Sequence, residues 1–123
     1  MSAGTRSCCR QDLEGQMPRI TVENALSELR SRDVPFKELF THGSLVVEMY
    51  KPEKVDLQQP HTRDEVYVIA RGSREFINGD DRHAVVIGEV LFVPAGVEHR
   101  FVDFSDDFAT WVIFYGPEGG ESA

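Results

Sequence analysis

From about residue 36 to 115, apolar and polar side chains alternate in short runs rich in Val, Ile, Phe and Tyr, broken at regular intervals by turn residues. A period of two puts successive side chains on opposite faces of a strand, and many short, evenly spaced strands predict a sandwich or barrel. The expected strands cover about residues 36–40, 45–51, 55–59, 65–70, 74–78, 83–87, 91–93, 98–104 and 108–115. The turns between them read His42-Gly43-Ser44, Lys51-Pro52, Arg71-Gly72-Ser73, Asn78-Gly79-Asp80-Asp81, Pro94-Ala95-Gly96 and Ser105-Asp106-Asp107. Asn78-Gly79 is the strongest of these, because a tight hairpin turn needs positive φ at its centre. Upstream the period changes. Val22, Leu26 and Leu29 share one face of a helix expected from about 21 to 32, capped by Thr21 and ended by Asp33-Val34-Pro35.

These elements divide the chain into an aperiodic leader at 1–19, expected to be disordered, a folded domain at 20–116 and a frayed tail at 117–123. The helix occupies about 21–32 of the domain and the barrel about 35–115. The expected class is all-β: an antiparallel β-barrel with a short N-terminal helix packed on its outside.

Facing is less direct. In the run 45–50, Leu45, Val47 and Met49 compete with Val46, Glu48 and Tyr50. An unpaired buried carboxylate is costly, so the set containing Met49 is expected to face the core; an inward Glu48 would be a candidate acid or base. Parity places Tyr67 and Ile69 with Glu65, and Phe101 with His99, on the barrel interior. Phe92, Trp111 and Phe114 add aromatic bulk, so a substrate pocket is expected among Met49, Tyr67, Ile69, Phe101 and Trp111. The strand at 108–115 is apolar on both parities and needs a second covering layer, from the helix or a partner subunit.

Composition narrows the class. With 123 residues the chain supports one domain and one core. Its formal charge of -8 argues against nucleic acid, which needs a clustered basic surface. No apolar run approaches the roughly 20 residues that span a bilayer, and no apolar segment follows the N-terminal arginines, so a cytoplasmic protein is expected. Cys8 and Cys9 are adjacent, a poor geometry for a disulfide, and read as reduced thiols.

The candidate chemistry lies in two stretches, Gln59-Pro60-His61-Thr62-Arg63-Asp64-Glu65 and Gly88 through His99. Gln59 and His61 emerge on one strand face with Cα atoms about 6.6 Å apart, close enough to converge on one ion. Glu65 shares their parity but lies about 13 Å beyond His61 along a straight strand. Thr62-Arg63-Asp64 must therefore bend. His99 arrives from a distant strand, aimed by the Pro94-Ala95-Gly96 turn. Imidazole nitrogens with a carboxylate oxygen suit a divalent transition metal. His42 and His83 sit beside turns and read as surface residues.

The two stretches resemble the paired motifs of the cupin superfamily: a glycine-led His-x-His, Glu and Gly, then Gly, Pro-x-Gly, His and Asn. His61, Glu65 and Gly72 match the first motif at its spacing, and Gly88, Pro94, Gly96 and His99 match the second. Glu53 stands at the first glycine, Asp103 at the closing Asn, and Gln59 at the first histidine. Similarity to small single-domain cupins implies a jelly-roll barrel, a homodimer, and one metal held by Gln59, His61, Glu65 and His99. A glutamine oxygen is a weaker, harder donor than imidazole, which favours Fe, Mn or Zn over Cu. Gln-x-His with a later Glu and His also resembles, locally, the zinc site of cupin-type phosphomannose isomerases.

Such an ion keeps open positions for a small oxygen-rich molecule and, as Fe(II) with two histidines and a carboxylate, suits O₂ chemistry. The leading expectation is a dioxygenase-type enzyme. The alternatives are a metal-dependent isomerase moving a proton on a sugar or keto/enol substrate, and a non-catalytic ligand-sensing barrel. Arg63, Arg71, Arg74 and Arg100 offer no evident inward cation for a phosphorylated substrate, and no nucleophile elbow or phosphate-binding glycine loop is present.

Overall fold

Strand formation follows the alternation closely. In a computed structural model, which describes residues 19–53, 60–103 and 105–122, helix α1 (Val22–Arg32) is followed by eight strands. They are β1 (Phe36–His42), β2 (Leu45–Tyr50), β3 (Asp64–Arg71), β4 (Ser73–Asn78), β5 (Asp81–Val86), β6 (Val90–Val93), β7 (His99–Val102) and β8 (Ala109–Tyr115). The strand expected at 55–59, Gln59, Cys8, Cys9 and the leader up to residue 18 lie outside the described residues.

The strands form two antiparallel sheets, β1-β2-β8-β3-β6 and β5-β4-β7. Tyr67, Ile69, Val93 and Val112 of the larger sheet meet Phe76, Val85 and Phe101 of the smaller one in a single core, closed at one end by Phe108. This is the expected all-β jelly-roll barrel. Because β3 lies beside β8 and β7 beside β4, the two motif stretches enter opposite walls of the same interior.

Helix α1 begins where Thr21 accepts a hydrogen bond from the Asn24 N–H at 3.0 Å, and ends at Asp33 with φ of 53°. It buries Ala25 and Leu29 against Met49, Ala70 and Ala109, with Leu26 and Trp111 at the margin. Removing a leucine of this kind from water is worth roughly 1.5–3 kcal/mol. The helix thus supplies the second layer that β8 requires.

That layer also reverses one expectation. Met49 pairs with Trp111 and faces the helix, whereas Val46, Glu48 and Tyr50 pair with Phe114, Val112 and Thr110 and face inward. With both faces of β2 covered, apolar alternation alone could not distinguish inside from outside, and the cost of a buried carboxylate proved the wrong criterion. Met49 and Trp111 therefore belong to the outer face of the sheet.

The β4–β5 turn runs over the expected residues Asn78-Gly79-Asp80-Asp81, with Gly79-Asp80 at its centre, since Asn78 pairs with Asp81. Only Gly79 of the two has positive φ (63°), the requirement of a turn with glycine in first position. Gly72 answers a different need: a Cβ there would sit 2.8 Å from the Phe108 Cα. Two residues of the C-terminal segment bond back to the start of β3. Gly119 donates to the Thr62 carbonyl at 2.6 Å, and Glu121 donates through its N–H to Asp64 Oδ2 at 2.8 Å.

Candidate metal centre

His61 precedes β3, Glu65 is the second residue of that strand, and His99 opens β7. The chain bends at Thr62 and Arg63 before extending, which removes the separation that a straight strand would impose. His61 Nε2 lies 3.8 Å from Glu65 Oε2, and His99 Nε2 lies 3.2 Å from Glu65 Oε1. One ligand atom from each of the three residues falls within 4.8 Å of the other two. The imidazole centroids are 5.5 Å apart.

Backbone ties hold this geometry. Gly96 donates to the His61 carbonyl at 2.7 Å, joining the second motif to the first. Asp64 Oδ1 accepts the Ala95 N–H at 2.9 Å, so one carboxylate connects β3, the Pro94-Ala95-Gly96 turn and the C-terminal segment. Those two bonds, Glu121 first and Ala95 second, hold the Asp64 carboxyl below its ordinary range. Their contribution is complete above about pH 3.9 and is lost as the pH falls through the lowered value. Asp64→Ala is expected to free both segments from β3 and loosen His61, lowering the Tm and weakening zinc binding several-fold. Wild-type zinc affinity in a folded Asp64→Ala protein would show that this tie does not position the histidine.

The donor set fits a cation. His99 Nδ1 lies 2.9 Å from the Val97 carbonyl, which can only accept, so Nδ1 carries a proton and Nε2 is the nitrogen turned toward Glu65. Both Glu65 oxygens are buried and receive no hydrogen bond among the described residues. A ring nitrogen 3.2 Å from a buried carboxylate is an arrangement that a cation held between them would satisfy, since isolated buried anions are strongly disfavoured. His61, Glu65 and His99 could hold a metal here; Gln59, the fourth expected ligand, lies outside the described residues.

A cavity of about 650 Å³ opens onto His61. Its walls include Phe36, Glu48, Tyr50, Val112 and Phe114, with Asp33 and Glu53 also lining it. The Phe114 ring meets the His61 imidazole edge-on, with centroids 4.9 Å apart. Of the residues expected to form a pocket, Tyr67, Ile69 and Phe101 do point inward, but they are buried in the core beneath the cavity. Tyr67 still comes within 5.8 Å of the His99 ring, centroid to centroid. Met49 and Trp111 are outside, under the helix.

The cavity residues that parity missed are Glu48 and Tyr50. Their signal was present in the alternation, on the set judged outward. Burial first, then the charges of Glu38 and Glu65, push the Glu48 carboxyl up to about 7. Among the described residues, no arginine lines this space. Arg63 donates to the Gly116 and Ser44 carbonyls, and Arg71 pairs with Glu23. Arg74 is buried over the Phe108 ring, 4.0 Å from its centroid, and Arg100 is exposed.

Comparison with known proteins agrees with the geometry. The family described as "Cupin domain" matches residues 46–115. An uncharacterized protein of Streptomyces coelicolor is 30% identical over 104 residues, covering 83% of this chain and 99% of its own. Among solved structures, a DMSP lyase from Ruegeria pomeroyi has a TM-score of 0.54 at 24% identity, over 61% of this chain and 40% of the lyase. A putative mannose-6-phosphate isomerase from Ralstonia eutropha has a TM-score of 0.56 at 18% identity, over 67% and 83%. Likeness at these identities speaks to the fold. No helix among the described residues is long and apolar enough to cross a membrane.

Proposed function

Because the chain belongs to the cupin family, we propose that it is a metal-dependent enzyme acting on a small oxygen-bearing organic molecule. The observation that carries this reading is the convergence of His61, Glu65 and His99 within 4.8 Å, with His61 also lining a cavity. The ligands would be His61, Glu65, His99 and Gln59. A bound divalent ion (iron, manganese or zinc) would polarise a substrate oxygen and, as iron(II), supply O₂ chemistry of the dioxygenase type.

The chain's own contribution is positional. Val97 orients the His99 ring, Gly96 fixes the backbone of His61, and Phe114 and Val112 give the cavity apolar walls beside His61. Glu48 favours a second reading, because an inward carboxyl can hold or accept a substrate proton, as an isomerase requires. Both readings share one site, and fold alone does not choose between them.

Elemental analysis of protein purified without added metal, followed by O₂-uptake and solvent-proton exchange assays, decides the matter. Iron with O₂ uptake supports the dioxygenase; zinc with proton exchange supports the isomerase. His99→Ala is expected to cost at least about tenfold in metal affinity while the barrel remains folded, since even outer-shell losses cost that much. Full metal content in that variant would remove His99 from the site.

Two further features belong to this reading: a cytoplasmic location, and assembly as a homodimer. Val86, Ile87, Val90 and Phe92 form an exposed apolar edge, with Val90 66% accessible, and exposed patches of this kind support pairing. A monomer by light scattering would overturn the dimer.

A further inference from the structure

The bend that brings Glu65 back toward His61 is made by Thr62, Arg63 and Asp64, and each of them is bonded to one short segment. Gly119 donates to the Thr62 carbonyl at 2.6 Å, and Arg63 Nε donates to the Gly116 carbonyl at 3.0 Å. Asp64 Oδ2 accepts the Glu121 N–H at 2.8 Å. Two further bonds fasten this corner: the Gly116 N–H donates to Ser44 Oγ at 3.1 Å, and Arg63 donates to the Ser44 carbonyl. A turn closed by the Gly120 N–H on the Pro117 carbonyl, at 3.0 Å, then carries the segment against Asp64. The approach is close. A Cβ on Gly120, whose φ is 90°, would stand 2.9 Å from Asp64 Oδ1 and 3.1 Å from the Ala95 Cβ.

Little else holds the segment. Gly116-Pro117-Glu118-Gly119-Gly120-Glu121 carries no large apolar side chain, and all but Gly116 and Gly120 are exposed. A few exposed hydrogen bonds bring a modest net gain, and ordering a glycine-rich stretch costs conformational entropy of similar size. Segments of this kind open locally without unfolding the domain. We infer that residues 116–121 form a positioning strap: it holds the bend between His61 and Glu65 in its ligating shape, and a bound metal in turn holds it closed. Gly96 grips the His61 carbonyl from the second motif at 2.7 Å, and the strap completes the hold from the other direction. Coupling between two sites is reciprocal. Whatever factor the strap adds to metal affinity, the metal adds to closure of the strap. This rests on the proposed metal centre, and it makes metal retention depend on a segment that supplies no ligand.

The test uses the full chain and three variants, with zinc as the probe. The first ends at Pro117. The second, Gly120→Val, keeps every other residue and drives a side chain into Asp64 and Ala95. The third, Glu118→Gln with Glu121→Gln, removes the charges that truncation removes and leaves every backbone donor in place. Competitive zinc titration is expected to show a loss of about tenfold in the first two and none in the third, the scale on which supports outside the ligand set act. Hydrogen exchange at the Gly119 and Glu121 amides of the full chain should slow on zinc loading by a matching factor, about tenfold. Proton NMR of metal-free protein separates positioning from general loosening. Truncation should broaden or split the His61 ring signals and leave those of His99, held by Val97, unchanged. The inference is overturned if both strap variants bind zinc as the full chain does, or if the charge-neutral variant loses as much affinity as they do. Amide exchange that zinc does not slow would overturn it equally. Should the full chain bind no zinc, the metal reading fails on its own account. The strap is then judged in metal-free protein, where His61 signals unchanged by truncation count against it.

Discussion

Glu65→Gln is expected to lower metal affinity by at least about a hundredfold while making the metal-free protein more stable, by about 1–3 kcal/mol. The two effects have opposite signs for one reason. Glu65 is wholly buried, and neither oxygen receives a hydrogen bond from the described residues. Without a metal, the groups that stand against this carboxylate are the imidazoles of His99 and His61, at 3.2 and 3.8 Å. Glutamine keeps the shape, removes the charge and brings an N–H₂ that can donate to the Nε2 lone pair of His99. With a metal, the same change removes the only anionic ligand among the described three. Chemical denaturation of metal-free protein and competitive zinc titration of the variant measure the two quantities separately. If Glu65 were an ordinary core ion pair, its neutralisation would destabilise the metal-free protein and leave zinc binding weak in both forms. That result would remove the metal centre.

Much of this site was legible because its parts are short-range. His61 and Glu65 stand four positions apart and His99 follows a turn whose proline and glycine fix its direction, so motif spacing carried the geometry without knowledge of the fold. The bend at Thr62-Arg63 could be anticipated too, since a straight strand cannot bring Glu65 back to His61. What failed was the facing of β2. Parity yields two faces but does not say which is inside, and the usual arbiter, an apolar face against a polar one, loses force when a helix covers the outside. Met49 is buried and Trp111 half-buried, beneath Ala25 and Leu29 and not beside the His61–Glu65–His99 cluster. Glu48 was judged too costly to bury, yet the cavity spares it full burial. Functional sites are where such local rules are broken. The bonds from Gly119 to Thr62 and from Glu121 to Asp64 were not legible either, because their partners lie far away in sequence.

Glu48→Gln is expected to stabilise the metal-free protein at pH 8 and to have little effect near pH 4. The wild-type carboxyl is pushed up to about 7 in the folded protein, first by burial and then by Glu38 and Glu65, whereas an unfolded glutamate titrates near 4.3. Between those values the folded chain holds a proton that the unfolded chain has released, so wild-type stability is fully present below about pH 4.3 and declines as the pH rises through about 7. A shift of that size corresponds to about 3 kcal/mol for a fully desolvated group; the partial exposure of Glu48 reduces the expected loss to about 1–2 kcal/mol. Glutamine does not titrate, so the difference between variant and wild type should open across this window and stay level above it. Denaturation curves at several pH values in a chelating buffer would show it; a difference that does not change between pH 4 and 8 would mean that Glu48 is solvated in the folded chain. Metal loading adds a second, diagnostic displacement. A cation on Glu65 cancels the third of the influences that raise Glu48, so the window should move to lower pH when zinc is present. The two carboxylates would thus report on each other: Glu65 would hold the ion, and Glu48 would register its arrival as a change in its own proton affinity.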